Sequence, residues 1–249
     1  MRVYKGFNNL PTFTGAVVTI GSFDGLHRGH LSLLNETCSR ARECGGESVV
    51  MTFEPHPRIV LGRTDGLRLL TSLEEKVDLL SSIGVDNLIV IPFDRDFSRL
   101  SYDEFVKQCL VEKIGVKTLV VGYNHHFGRG NEGSLADFVK LSEELGFEIL
   151  KVEEWRADTP ESVSSTVVRR MVAAGSMEGV SELLSRPYLV VGQVDGDGRV
   201  WLSESLKAIP PAGKYTVRIG GIESSISIDD NGVIMCDRTN ERVAIEILR

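Results

Sequence analysis

This 249-residue sequence lacks several features of secreted, membrane-spanning and nucleic-acid-binding proteins. Cysteine is scarce, and none of the four cysteines forms a C-x-x-C pair, so we expect reduced thiols in a cytoplasmic protein. No apolar run approaches the roughly 20 residues that a membrane span needs, and the first residues lack the apolar stretch of a signal peptide. The net charge is −7 and no basic run occurs, so neither nucleic acid nor a membrane is an expected partner.

Short runs rich in Val and Ile recur along the chain, at residues 16–20, 48–53, 87–91, 118–121 and 148–152. They do not alternate strictly between apolar and polar residues, which is typical of strands buried on both faces of a parallel sheet. Amphipathic segments lie between them, and two of these begin at a capping box, Ser72 with Glu75 and Ser101 with Glu104. The pattern predicts an α/β fold in which a doubly wound parallel sheet has helices on both faces.

The stretch GSFDGLHRGH, residues 21–30, joins the first of these runs to an amphipathic helix. Glycines at 21, 25 and 29 allow a sharp turn and a close approach to a ligand. The start of the helix offers unpaired N–H groups and partial positive charge, which favour phosphate, and His27 and His30 share one face of its first turn. We therefore interpret the stretch as a polyphosphate site. A zinc pair is disfavoured because the usual helical pair has i, i+4 spacing with a Glu between, so no metal ligands are assigned.

Three later loops carry polar residues where strands end, which is where parallel sheets bind ligands. Residues 52–57 read Thr-Phe-Glu-Pro-His-Pro, and the two prolines bias His56 to an extended geometry. Residues 122–130 hold an amide, two histidines and an arginine between glycines. Residues 164–166, Ser-Ser-Thr, predict a helix cap. With Arg169 one turn further on, they also predict a second anion site, because a guanidinium fits phosphate oxygens.

The composition changes near Arg186. From there, six short runs alternate or are rich in β-branched residues, and turn signals such as Asp195-Gly-Asp-Gly198 and Gly220-Gly221 separate them. We therefore predict two domains, an α/β domain over residues 1–185 and a small all-β module over residues 186–249.

Taken in order, these motifs resemble the bacterial bifunctional riboflavin kinase/FMN adenylyltransferase (FAD synthetase) family. Its superfamily, the nucleotidyltransferases, is marked by an H-x-G-H or H-x-x-H turn after the first strand. The resemblance lies in residues 21–30, 52–57, 121–128, 163–169 and 186–188. It implies a Rossmann-like nucleotidyltransferase sheet and the transfer of AMP from Mg-ATP to FMN, giving FAD and pyrophosphate by direct in-line attack. The expected partners are then ATP and FMN, with Mg²⁺ as the cofactor and FMN and FAD as substrate and product.

The resemblance also implies roles for individual residues. Those implied for catalysis are His27, His30, Asn124 and Arg169. Those implied for ATP binding are Gly21, Phe23, Asp24, Gly25, His27, His30, Ser164, Ser165, Thr166 and Arg169. Those implied for FMN binding are Phe53, Pro55, His56, Pro57, Asn124 and His126.

The C-terminal module departs from the family, whose full members have a considerably longer kinase barrel. That barrel is marked by a Gly-Phe-Pro-Thr-Ala-Asn stretch soon after an Arg-Pro-Tyr. This chain has Arg186-Pro-Tyr188, but Trp201-Leu-Ser-Glu-Ser205 stands where the Thr and Asn would hold ATP and Mg²⁺. We expect a shortened barrel without riboflavin kinase activity, so that FMN comes from another enzyme. The role of the module is open between packing against the first domain and weak homo-oligomerisation.

Two other functions remain open on the sequence. The histidine turn is shared with adenylyl- and cytidylyltransferases for other phosphorylated acceptors, although residues 52–57 and 121–128 favour flavin. A non-catalytic flavin or nucleotide sensor would explain the shortened barrel. Such a sensor has no need of transition-state groups, and this chain retains His27, His30, Asn124 and Arg169.

Overall fold

The structure, a computed structural model, describes residues 1–122, 135–155 and 163–249. Six parallel strands form one sheet: β1 Arg2–Lys5, β2 Val17–Ile20, β3 Ser48–Glu54, β4 Asn87–Pro92, β5 Thr118–Gly122 and β6 Glu148–Val152. The five predicted strands are confirmed, and β1 is additional. The sequence pattern does not predict β1 because this short edge strand is mostly exposed and has no apolar run.

The strand order is β1-β4-β3-β2-β5-β6. From β2 the chain builds outward through β3 and β4, and it then returns to the other side of β2 with β5 and β6. The order therefore reverses between β2 and β5, and such a switch point is where open parallel sheets bind ligands. Ile20 and Gly122 are the last residues of these two neighbouring strands.

The helices are α1 Arg28–Glu43, α2 Pro57–Val60, α3 Leu73–Ile83, α4 Tyr102–Glu104, α5 Leu135–Leu145, α6 Ser165–Ala173 and α7 Met177–Leu184. A short 3₁₀ turn, Phe97–Arg99, precedes α4, which continues into a π-helical segment, Phe105–Ile114. Both predicted capping boxes are confirmed. The hydroxyl of each serine accepts from the glutamate N–H, and each glutamate carboxylate accepts from the serine N–H.

The C-terminal module is a closed antiparallel barrel of six strands, so the predicted all-β module is confirmed. The strands are β7 Tyr188–Val194, β8 Arg199–Leu202, β9 Gly213–Ile219, β10 Ile222–Ile228, β11 Ile234–Met235 and β12 Arg242–Ile247. Their order is β10-β11-β8-β7-β12-β9, and pairing of β9 with β10 closes the ring. Along β12 every second residue is buried, namely Val243, Ile245 and Ile247. Closure leaves these strands without an open edge.

The chain divides into two compact units. The first holds the sheet and comprises Met1–Phe23, His30–Asp65 and Val77–Trp155. The second holds the barrel and comprises Asp24–Gly29, Gly66–Lys76 and Arg156–Arg249. Residues of α6 and α7 share one buried core with the barrel strands. The first barrel strand begins at Tyr188, and the division into residues 1–185 and 186–249 stays a prediction.

Within residues 1–122, 135–155 and 163–249, no helix is both long and apolar enough to cross a membrane. In the same ranges, no three His, Cys, Asp or Glu side chains cluster so that they could hold a metal ion. The four cysteines are free thiols.

Candidate active site

The turn between β2 and α1 has a strained backbone. Phe23, Gly25 and Leu26 have φ values of +46°, +87° and +42°. Positive φ is uncommon for residues other than glycine and persists where the surroundings over-determine it, often at functional sites. Gly25 has a second constraint, since a Cβ there would lie 2.8 Å from Leu70 Cδ1. The turn therefore depends on contacts with other segments for its shape.

Asp24 provides the largest set of these contacts. Its side chain is only 2% exposed. Its Oδ1 accepts hydrogen bonds from the N–H groups of Leu70 (2.9 Å) and Thr71 (3.0 Å), and its Oδ2 pairs with Arg169. The Thr71 hydroxyl in turn accepts from the Gly25 N–H at 2.7 Å. Asp24 thus anchors the turn from within, and its carboxylate is fully engaged by protein groups.

The first turn of α6 contacts the histidine turn. Ser164 caps the helix by accepting from the Val167 N–H, which confirms the predicted cap. The Ser165 hydroxyl donates to the Asp24 carbonyl at 2.8 Å. Thr166 is exposed. Besides its pair with Asp24, Arg169 donates from Nε to the Arg68 carbonyl at 2.6 Å. The structure thus joins the two motifs through Ser165 and Arg169.

His27 lies in this turn and is buried, with 6% of its surface exposed. Burial, the main cause, lowers the pKa of His27 from its ordinary 6.5 to about 4, and the positive charges of Arg186 and Arg169 act in the same direction. The imidazole is therefore neutral at pH 7 in the free protein. A neutral imidazole has one N–H donor and one acceptor nitrogen, so it can still donate a hydrogen bond to a phosphate oxygen.

In the sheet-containing unit, the ring of Phe23 packs against His30 and Gly21. The rings of Phe23 and His30 meet edge to face, with centroids 5.3 Å apart. Phe23 is 1% exposed, and its ring lies so close to Gly21 that an added Cβ would be 3.1 Å from it. Gly21 is thus required by the packing of Phe23, and Phe23 in turn orients His30.

The predicted flavin-contact residues lie at the end of β3 and the start of α2. Phe53 packs against the rings of Phe93 and Phe97, with centroids 5.4 and 6.0 Å away. His56 caps α2 by accepting from the Arg58 N–H at 3.2 Å. Of the two prolines of this loop, Pro55 is exposed and Pro57 is half-buried. The remaining predicted residues, Asn124 and His126, lie outside the described residues.

Sequence reasoning missed the contact that Arg186 makes with the turn. Its guanidinium donates to the carbonyls of Gly25 (2.7 Å) and Leu26 (3.2 Å), as well as to that of Leu184 (3.1 Å). Burial lowers the pKa of Arg186 to about 10, so it stays charged at neutral pH. The Arg-Pro-Tyr motif was visible in the sequence, but nothing near it indicates a partner about 160 residues earlier.

The chain is similar in sequence to known proteins over most of its length. A family model described as FAD synthetase matches residues 10–167. The bifunctional riboflavin kinase/FMN adenylyltransferase of Escherichia coli (strain K12) is 35% identical over 196 residues, which cover 78% of this chain and 62% of that protein. This chain therefore spans under two thirds of that relative's length. The protein of the same name from Listeria monocytogenes serovar 1/2a is 31% identical over 245 residues, covering 93% of this chain and 76% of that protein.

A solved structure shares the fold over its whole length. It is described as a macrolide-efflux protein from Streptococcus pneumoniae and has a TM-score of 0.86 at 23% identity, covering 100% of this chain and 98% of that one. At this identity the likeness concerns the fold alone. The matches to the family model and to the Listeria monocytogenes relative, in contrast, show that this chain belongs to the FAD synthetase family.

Proposed function

We propose that this chain is an FMN adenylyltransferase, which transfers AMP from Mg-ATP to FMN and releases FAD and pyrophosphate. The observation that carries the proposal is the strained turn with His27 and His30, which directly follows β2 in a chain of the FAD synthetase family. The names of the two relatives include FMN adenylyltransferase, which supports FMN as the acceptor.

The reaction needs no covalent intermediate. An oxygen of the FMN phosphate attacks the α-phosphorus of ATP, the bond to the bridging oxygen of the β-phosphate breaks, and that electron pair leaves with pyrophosphate. The protein aligns these groups and stabilises the negative charge. Mg²⁺ enters with ATP as part of the substrate, because it usually keeps several waters and binds substrate phosphates. Asp24 is already paired with Arg169, so the turn itself would hold phosphates rather than the ion.

His27 and His30 are the proposed ligands of the ATP phosphates in the transition state. A bound polyphosphate would favour the charged form of His27 and raise its pKa from about 4, because a nearby negative charge stabilises an imidazolium. The first turn of α6 would hold the β- and γ-phosphates. The residues assigned there are Ser164, Ser165, Thr166 and Arg169.

The flavin end of the proposed site uses two parts of the chain. Phe53 and the segment Pro55-His56-Pro57 would border the flavin, supported by the aromatic cluster around Phe53. Asn124 and His126 are assigned to the FMN phosphate by the family resemblance alone. In the sequence, Asn124 and His126 follow Gly122, which ends β5, and β5 pairs with β2.

We also propose that riboflavin kinase activity is absent. The stretch from Trp201 to Ser205 has neither the Thr nor the Asn that the family uses for ATP and Mg²⁺ in the kinase barrel. The barrel closes nonetheless with six strands. This proposal predicts that riboflavin is not a substrate.

The test is an incubation of the protein with Mg-ATP and either FMN or riboflavin, with chromatographic separation of the flavins. We expect FAD from FMN and no FMN or FAD from riboflavin. The H27A and H30A variants should lose about 100- to 1,000-fold in kcat while keeping their affinity for FMN, and K151A, an exposed residue of β6, is the control. Absence of FAD in the FMN incubation would overturn the proposal, and pyrophosphate release with other phosphorylated acceptors would then be measured.

A further inference from the structure

A buried ion pair joins the barrel to the segment that anchors the histidine turn. Lys207, which follows β8, and Glu75, in the first turn of α3, form a salt bridge in which each side chain is 2% exposed. The Lys207 ammonium also donates to the Leu70 carbonyl at 2.8 Å and lies 4.8 Å from the centroid of the Tyr188 ring. The Glu75 carboxylate accepts in addition from the Val191 N–H of β7 at 3.1 Å.

The backbone next to this pair continues the connection to the turn. Residue 69 pairs with the barrel segment around Lys207: the Leu69 N–H donates to the Leu206 carbonyl and the Ala208 N–H donates to the Leu69 carbonyl, both at 2.7 Å. The next two N–H groups, those of residues 70 and 71, bind the Asp24 carboxylate. The consecutive residues Leu69, Leu70 and Thr71 therefore connect the barrel to Asp24 through their backbone hydrogen bonds.

Arg186, two residues before the first barrel strand, contacts the same turn directly. It donates to Gly25 and Leu26, two of the residues with positive φ, and the Ser185 hydroxyl beside it accepts from Arg28 Nε at 2.8 Å. A guanidinium is planar and donates in a fixed fork, so its bonds to two carbonyls fix the direction of both peptide planes. The residue after these two carbonyls is His27.

Stability alone is a poor explanation for this arrangement. Buried ion pairs are often no more stabilising than apolar residues of the same size, because desolvation opposes the attraction. Among the described residues, Arg186 Nε is buried without a hydrogen-bond partner, and a buried donor left unbonded costs free energy. What the arrangement does provide is a fixed geometry for a strained turn, and strain of this kind persists only where its surroundings hold it.

We propose that Arg186 is a positioning residue that holds the turn of residues 24–27 in its nucleotide-binding shape, and that the shortened barrel is retained as the support for this hold. The inference rests on the proposed adenylyltransferase function for its catalytic consequence. The barrel then has a role in the chemistry of the first histidine turn, without any kinase activity of its own.

The test compares R186K with R218K. Lysine keeps the charge at residue 186 but cannot bind two carbonyls as a rigid fork. Arg218 lies in the same barrel and forms a half-exposed salt bridge with Glu246 at 2.9 Å, so R218K is a matched control. R186Q is made in parallel, in case R186K does not fold. Folding is verified for each variant by circular dichroism and thermal unfolding.

Two readouts are taken. For R186K, kcat for FAD formation should fall by about 100-fold with the KM for FMN unchanged, since a small misplacement of a reacting group can cost that much. Amide hydrogen exchange in the peptide that contains residues 24–29, followed by mass spectrometry, should become about tenfold faster, because charged hydrogen bonds are lost there. R218K should change neither quantity.

The two readouts separate this inference from the proposed function. If the unmodified protein makes FAD and the R186 variants make it at the same kcat, the positioning role is overturned while the function stands. If the unmodified protein makes no FAD, the proposed function is wrong. Hydrogen exchange alone then tests whether Arg186 restrains the turn. An unchanged exchange rate in the folded R186 variants would overturn the proposed restraint of the turn by Arg186. Faster exchange confined to residues 24–29 would support it.

Discussion

The burial of His27 predicts a loss of stability at mildly acidic pH. The pKa of His27 is about 4 in the folded chain and close to the ordinary 6.5 in the unfolded chain. Between these values the unfolded state binds a proton that the folded state does not bind, so protonation favours unfolding. The stabilisation from a neutral His27 is complete above pH 6.5 and is lost as the pH falls toward 4. Burial is the main cause, and the cationic groups that reinforce it are Arg186 and Arg169.

The size of the effect follows from the two pKa values. Over the full interval of 2.5 units between 6.5 and about 4 it amounts to about 3 kcal/mol. Between pH 7 and pH 5, which covers most of that interval, it is about 2 kcal/mol. The perturbation is H27Q, in which an uncharged amide replaces the imidazole. The chain has five histidines, so four remain to titrate in both proteins and their contributions cancel in the comparison.

The assay is urea unfolding at pH 7, 6 and 5, with free energies from linear extrapolation. The unmodified protein should lose about 2 kcal/mol more than H27Q between pH 7 and pH 5. NMR of histidine labelled with ¹⁵N measures the pKa itself, and the resonance missing in H27Q identifies His27. Equal losses of stability in the two proteins, or a His27 pKa near 6.5, would refute the reasoning. Addition of Mg-ATP should raise the His27 pKa if the proposed phosphate contact forms.

Two further predictions concern the contacts that hold the turn. K207M leaves the buried Glu75 carboxylate without its cation and should lower the free energy of unfolding by about 3–5 kcal/mol. The double variant K207M/E75Q should recover most of this loss. A double variant that is no more stable than K207M would contradict the pairing. G25A places a methyl group 2.8 Å from Leu70 Cδ1 at a φ of +87°, so we expect about 1–3 kcal/mol of destabilisation and slower FAD formation. Gly45→Ala, at a φ of +64° with open space around it, is the control, and FAD formation as fast in G25A as in that control would contradict the role of the turn.

Local patterns were sufficient for much of the fold. Short runs rich in Val and Ile, bounded by turn residues, predict the five sheet strands after β1 and the six barrel strands. They do so because residues on the buried face of a sheet must be apolar. The capping boxes at Ser72 and Ser101 follow from pairs three residues apart. The same reasoning does not predict β1, which is mostly exposed, or the π-helical form of Phe105–Ile114.

The candidate site shows where local patterns stop being informative. Charged side chains are rarely buried, yet those of Glu75 and Lys207 are each 2% exposed. Their partnership spans 132 residues of sequence, and that of Asp24 with Arg169 spans 145. No periodicity or spacing relates residues so far apart, so the pairs become visible only when the chain is folded.

The sequence by itself determined the class of fold, the position of the histidine turn at the end of a buried strand, and the resemblance to the FAD synthetase family. It could do so because strand burial, helix capping and glycine turns depend on neighbouring residues. Only the tertiary structure decided that the predicted anion ligand Arg169 is paired with Asp24, that burial lowers the pKa of His27 to about 4, and that Arg186 donates to the carbonyls of Gly25 and Leu26. These properties depend on burial and on charges brought together from distant parts of the chain, and burial is a property of the folded molecule as a whole.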